Sequence, residues 1–267
     1  MYREYYGFTH YPFGKDIPSD QLLLYRNFRE YKKRMEFLQK HGGIGILWGE
    51  SGAGKSAGLR WLRDSLNKNR YRLFYLPEPP NSVPDFYRQL ALAMDLKPAF
   101  RRIDMYCQIQ DHIIELAKEK RVLPIIALDE CQMYPYQVLE SVRLFLNFDM
   151  DSKDYAVLIL CGQTELKKRL KRTVYEPLTL RVTIQHHFSG LDCEETEKYL
   201  LHRLELAGVK HQLFEPDAVQ FIHQVTKGNM RKIDHLAVQS LFLGAGLKNN
   251  SIDQSVVDTA MQENLWA

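Results

Sequence analysis

Eight consecutive residues, Gly49-Glu50-Ser51-Gly52-Ala53-Gly54-Lys55-Ser56, satisfy the phosphate-binding pattern G-x-x-x-x-G-K-[ST] at every fixed position. Glycine there lets the backbone turn its N–H groups inward around phosphate oxygens, where a side chain would block the approach. Lys55 is then the expected partner of the β- and γ-phosphates, and the Ser56 hydroxyl the expected ligand of Mg²⁺. With Ala57 just beyond it, the stretch predicts a site for ATP. A second chemical feature is Asp129-Glu130, at the end of the apolar run 122–128. Asp129 would hold Mg²⁺ through water, and Glu130 would orient and polarise an attacking water. Gln163 follows the apolar run 155–161. Its amide could reach the γ-phosphate or its water, although a plain loop glutamine is the simpler reading.

These residues need elements to hold them. The apolar run 44–48 fits a buried strand, and Leu59, Leu62 and Leu66 have helical spacing, so the glycines join a strand to a helix. That helix would point its positive N-terminal end at the same anion. A second strand over 72–76 is stopped by Pro77, Pro79 and Pro80, and helices are expected over 83–94 and 105–118. The run 122–128 then reads as a central strand delivering its carboxylates to the C-terminal edge, where ligands of such sheets sit. Strands alternating with helices predict an α/β fold, a parallel sheet flanked by helices.

Helical spacing continues over 194–206, 216–225 and 230–243, and a last helix is expected from 251 to the C-terminus. With no strand signal from 191 onward, a small all-helical lid domain is predicted. The first 25 residues differ, being rich in aromatics and broken by proline. They read as a strap packed over the core, or as a cover for the adenine ring through Pro12 and Phe13, and the two are compatible. The expected organisation is a strap over 1–27, a nucleotide-binding α/β domain over 28–190 and the lid over 191–267.

In 267 residues, a net charge of +3 is too small to announce a nucleic-acid binder. Local clusters could still bind phosphate. Arg101-Arg102 is one, and Lys167, Lys168, Arg169, Lys171 and Arg172 form the densest. Such a run is either a solvated helix face or a contact to a nucleic-acid backbone. Cys107, Cys131, Cys161 and Cys193 are scattered without a C-x-x-C pair, which predicts reduced thiols rather than a zinc site or disulfide framework. No apolar run approaches the ~20 residues of a membrane span, so a cytoplasmic protein without a membrane partner is expected.

Taken in order, these motifs and the later Gly228-Asn229-Met230-Arg231 resemble an AAA+ ATPase. Tyr6-Gly7-Phe8, Tyr11-Pro12-Phe13 and Leu24-Tyr25 resemble the N-terminal signature of the ExeA-like (general secretion pathway protein A) group. Leu128-Asp129-Glu130-Cys131-Gln132 is similar to its second motif, with Cys131 in place of alanine. Gly162-Gln163-Thr164-Glu165-Leu166 is similar to Gly-Gln-Pro-Glu-Leu, with Thr164 in place of proline. The resemblance implies that Arg181 is an arginine finger pointing into a neighbouring copy's nucleotide, with Arg172 the second choice. It implies that Arg231 is the lid's sensor of the γ-phosphate. Stand-alone members resemble transposition helpers such as TniB, TnsC and IstB. The expectation that follows is an ATP-dependent regulator that binds double-stranded DNA without sequence preference. It would assemble as a homo-oligomer, ring or helical filament, and recruit a transposase. The alternatives are a secretion-assembly or protein-remodelling ATPase acting on a protein, and an ATP-driven signalling switch.

Overall fold

The computed structural model describes residues 2–263. In chain order its elements begin with α1 (Tyr2–Tyr5), α2 (Arg26–His41), β1 (Gly43–Gly49), α3 (Lys55–Ser65), β2 (Tyr71–Leu76), α4 (Val83–Ala93) and α5 (Arg102–Ile114). They continue with β3 (Leu123–Leu128), α6 (Tyr136–Phe145), β4 (Val157–Gly162), α7 (Thr164–Leu170), α8 (Glu176–Thr179) and β5 (Val182–Phe188). Last come α9 (Cys193–Leu206), α10 (Pro216–Thr226), α11 (Met230–Gly246) and α12 (Gln254–Gln262). The final helix was expected to run to the C-terminus, and that end lies outside the described residues. Two compact units result, one of residues 28–50 and 55–188, the other of residues 1–27, 51–54 and 189–267. The aromatic N-terminal stretch therefore belongs to the same unit as the C-terminal helices.

The first unit is built on five parallel strands in the order β2-β3-β4-β1-β5. β1, β3 and β4 are buried almost throughout, as strands covered on both faces must be. On one face Ile44, Ile46 and Trp48 join the core formed with α4, α5 and α6. On the other lies α2, whose Phe28, Tyr31, Met35 and Leu38 are all buried. Each such side chain contributes roughly 1.5–3 kcal/mol. The Tyr31 hydroxyl donates to the Gly58 carbonyl at 2.9 Å, which pins α2 to α3. Two elements go beyond the sequence reading. Strand β5 alternates inward Ile184, His186 and Phe188 with outward Thr183, Gln185 and His187, a period-two signal in a polar-looking stretch. Helix α6 buries Val138, Leu139, Val142 and Phe145 at helical spacing.

In the second unit, polar caps fix the helix starts. Asp192 and Glu195 form a reciprocal capping box at α9, and the Asp253 side chain accepts from the Val256 amide at α12. Arg203, only 3% exposed, donates to the carbonyls of Pro12 and Gly14, each at 2.7 Å. Phe13 packs edge-on to Phe214 with ring centres 6.4 Å apart. A buried guanidinium thus fastens the N-terminal strap.

His186 is 1% exposed and packs against Tyr31 and Phe188. Burial first, then the charge of Arg34, pulls its pKa down to about 4, with Glu30 opposing and His187 adding to the fall. The folded imidazole is neutral, so unfolding takes up a proton below the ordinary value. Stability from this group is complete above about pH 6.5 and drains as pH falls towards 4, by up to about 3 kcal/mol. Denaturant unfolding at pH 7 and pH 4.5 should show this loss shrinking in His186→Phe. An equal loss in both proteins would refute the assignment.

Candidate functional site

Register places the chemistry. Leu128 of β3 lies level with Leu160 of β4, and Leu160 level with Ile46 of β1. The residues that follow, Asp129-Glu130 after β3, Gln163 after β4 and the loop after Gly49, therefore leave the sheet at one C-terminal edge. Lys55 opens α3 and is 8% exposed. Its ammonium donates to the carbonyls of Gly49 at 2.9 Å and Glu50 at 2.8 Å, so the loop closes on its own lysine. Ser56 is exposed in the first turn, and Ala57 is half-buried.

Asp129 is 6% exposed and firmly held. One carboxylate oxygen accepts from the Glu130 amide at 2.9 Å, and the other from the Tyr75 hydroxyl at 2.7 Å. Burial, followed by the charge of Asp129, raises the Cys161 thiol pKa well above the ordinary range. Burial and the bond to Asp129 raise the Tyr75 phenol in the same way. Glu130 has left-handed backbone angles, φ 51° and ψ 35°, which are uncommon for a residue with a side chain. Its Oε2 accepts from the Gln132 amide at 2.5 Å and the Gln163 amide at 3.4 Å. Gln132 completes the triangle by accepting from the Gln163 backbone amide at 2.9 Å. Sequence reasoning assigned no role to Tyr75 or Gln132. The glutamine sits inside a noticed motif, but only the strand ends reveal what it touches.

The basic residues divide. Lys168, Lys171 and Arg172 are exposed, and Lys167 lays its ammonium 4.7 Å from the centre of the Trp48 ring. Lys167, Lys171 and Arg172 line a cavity of about 470 Å³ with Trp48 and Ile46 at its wall. Arg169 turns inward instead, donating to the Gln132 carbonyl at 2.9 Å and the Tyr175 hydroxyl at 2.7 Å. Arg181 is half-buried, with its guanidinium on the Arg143 carbonyl at 3.2 Å. Arg101 and Arg102 are exposed at the start of α5.

Within the second unit, Ser51, Gly52, Ala53 and Gly54 meet the start of α11. Asn229 caps that helix and donates to the Ser51 carbonyl at 2.8 Å, while Arg231 donates to the Ser51 hydroxyl at 2.7 Å. In sequence Asn229 stands only as part of the Gly228-Asn229-Met230-Arg231 motif, with no role of its own. Pro12 and Phe13 sit on Arg203 and Phe214 in this unit. Among the described residues, no backbone carbonyl accepts from the amides of residues 51–54. Backbone N–H groups without a carbonyl partner suit phosphate oxygens. A hydroxyl and a carboxylate suit Mg²⁺, a hard ion with oxygen ligands.

Residues 38–170 match the AAA domain family. The chain carries an AAA domain. Its phosphate loop and the carboxylate pair after β3 suit ATP with Mg²⁺. Over 268 aligned positions it is 27% identical to the general secretion pathway protein A of Aeromonas hydrophila, covering 98% of this chain and 48% of that protein. The chain thus spans about half the length of that relative. The AAA fold recurs in Cdc6p from Pyrobaculum aerophilum (TM-score 0.71, 14% identity, 94% of this chain and 70% of that one). It recurs in the ORC1 protein of Aeropyrum pernix in complex with DNA (TM-score 0.67, 17% identity, 95% and 68%).

Gly52 has φ +86°, and an added Cβ would lie 2.5 Å from both the Arg231 Cβ and the Asn229 Oδ1. Gly52→Ala should therefore weaken binding of a fluorescent ATP analogue by about tenfold or more, because the loop must shift. Lys55→Ala should abolish it. Wild-type affinity in either variant would count against the site.

Proposed function

We propose that this AAA domain is an ATP-dependent DNA-binding ATPase that oligomerises and recruits or regulates a transposase. The observation carrying the reading is α7, which joins Gln163 at the catalytic edge to exposed Lys167, Lys168, Lys171 and Arg172 within a few turns. A rigid helix with one end on Glu130 and the other among cations is suited to tie DNA binding to ATP turnover. The likeness to an ORC1 protein solved with DNA supports this reading. No base-reading module is evident among these residues, so affinity would come from phosphate contacts and fall steeply with salt. A cytoplasmic location follows from that substrate, and no helix among the described residues is long and apolar enough to cross a membrane.

In this reading Lys55 would hold the β- and γ-phosphates, Ser56 and Asp129 would hold Mg²⁺, and Glu130 would take a proton from the attacking water, with Gln163 orienting it. Arg231 reports the γ-phosphate, and Pro12-Phe13 serve the adenine. Arg181 would exchange the Arg143 carbonyl for a phosphate oxygen of a neighbouring copy, coupling hydrolysis to assembly. The second reading, a secretion-assembly ATPase with a protein client, is favoured by the relative from Aeromonas hydrophila.

DNA binding measured with and without a non-hydrolysable ATP analogue, at two salt concentrations, separates the two. The DNA reading expects ATP-stimulated affinity that drops at the higher salt, and its absence favours the protein client. For the chemistry, Glu130→Gln should retain ATP affinity and lose turnover by about 10²-fold or more. Gln132→Ala should lower kcat by roughly tenfold with affinity unchanged. Normal hydrolysis in Glu130→Gln would remove that carboxylate from the mechanism.

A further inference from the structure

The turn between α4 and α5 presents a feature that nucleotide chemistry does not use. Phe100 is 96% exposed and Ile103 56%, and between them stand exposed Arg101 and Arg102. A single surface apolar residue needs no explanation, but a fully exposed phenylalanine flanked by two cations at the tip of a hairpin is uncommon. The turn is also held firmly. Met94 is buried, Leu96 and Ala99 pack on the core, and Gln108 donates to the Lys97 carbonyl at 2.9 Å. Arg101 caps α5 in an extended conformation, with its carbonyl accepting from the Met105 amide at 3.1 Å. Among the described residues no carboxylate lies within ion-pair distance of Arg101 or Arg102. The neighbouring acid Asp95 is taken by Arg72 at 2.6 Å. The tip is thus a fixed apolar ring with a positive collar.

We propose that this tip is a DNA-contacting wedge, with Phe100 pressed against sugars and base edges in a groove while Arg101 and Arg102 hold the flanking phosphates. The inference rests on the DNA-binding reading above and adds the element that makes the contact. Charge selects the occupant: a protein partner with an apolar socket would not need two unpaired cations, whereas a duplex offers phosphates on both sides of a groove whose sugar walls and base steps accept an apolar ring.

The two kinds of contact answer differently to salt. Phosphate contacts release counterions, so each arginine removed should reduce the slope of log affinity against log salt by about 0.9. An apolar contact weakens binding without changing that slope. Affinity for a short duplex, with the ATP analogue present, should be measured across a salt series for the wild type, Phe100→Ala and the Arg101→Ala/Arg102→Ala pair. Phe100→Ala is expected to lose roughly tenfold at every salt with an unchanged slope. The double arginine variant is expected to lose affinity with a slope smaller by about two. A fully exposed side chain can be removed without disturbing the fold, which thermal unfolding would check. Wild-type DNA affinity in Phe100→Ala overturns the wedge while leaving the DNA reading standing. A wild-type protein that does not bind DNA overturns both. Altered self-association of Phe100→Ala in the absence of DNA would assign the tip to a second copy of the chain instead.

Discussion

Parallel pairing is the constraint from which the site follows. Five strands running the same way put all their C-terminal ends on one edge, so a carboxylate pair, a polar amide and a glycine loop can come from three strands and still converge. Such a sheet needs cover on both faces, and α2 on one side with α4, α5 and α6 on the other supply it. The near-continuous apolar character of β1, β3 and β4 is the consequence in sequence. Their polar residues begin where the strands stop.

At that edge polar groups hold each other in place. Asp129 is almost inaccessible, and a buried carboxylate is costly unless donors surround it. The Glu130 amide and the Tyr75 hydroxyl supply them. Glu130 sits one residue further on, turned by a left-handed backbone step away from the strand's alternation and onto the amides of Gln132 and Gln163. That step gives two adjacent carboxylates different surroundings. Arg169 extends the same network down α7, where it fixes the backbone of Gln132 rather than facing solvent.

The chain passes from one compact unit to the other at Glu50–Ser51 and returns at Gly54–Lys55. Within the helical unit, Ser51 is gripped by Asn229 and Arg231 at the start of α11. The centre of the loop and its two flanks thus belong to different compact units. In the helical unit Arg203 is one of several links between the N-terminal strap and the C-terminal helices, with Tyr6 on the Asn249 carbonyl and Thr9 on the Ala207 carbonyl among the others.

The phosphate loop, the carboxylates after β3 and the alternation of strands and helices were legible in sequence because each is local. A glycine spacing or an apolar run ending in Asp-Glu carries its meaning within ten residues. Strand β5 was harder to see because an edge strand has one wet side, and His186 and Gln185 hide its periodicity. The roles of Tyr75, Gln132, Asn229 and Arg169 could not be read at all. Their partners lie 54, 31, 178 and 37 residues away, and only folding brings such separations within hydrogen-bond reach. The sequence by itself determined which residues can bind a nucleotide and in what order the elements come. The tertiary structure decided which charged side chains point inward as struts and which remain outside, because burial depends on what packs against a residue rather than on its own type.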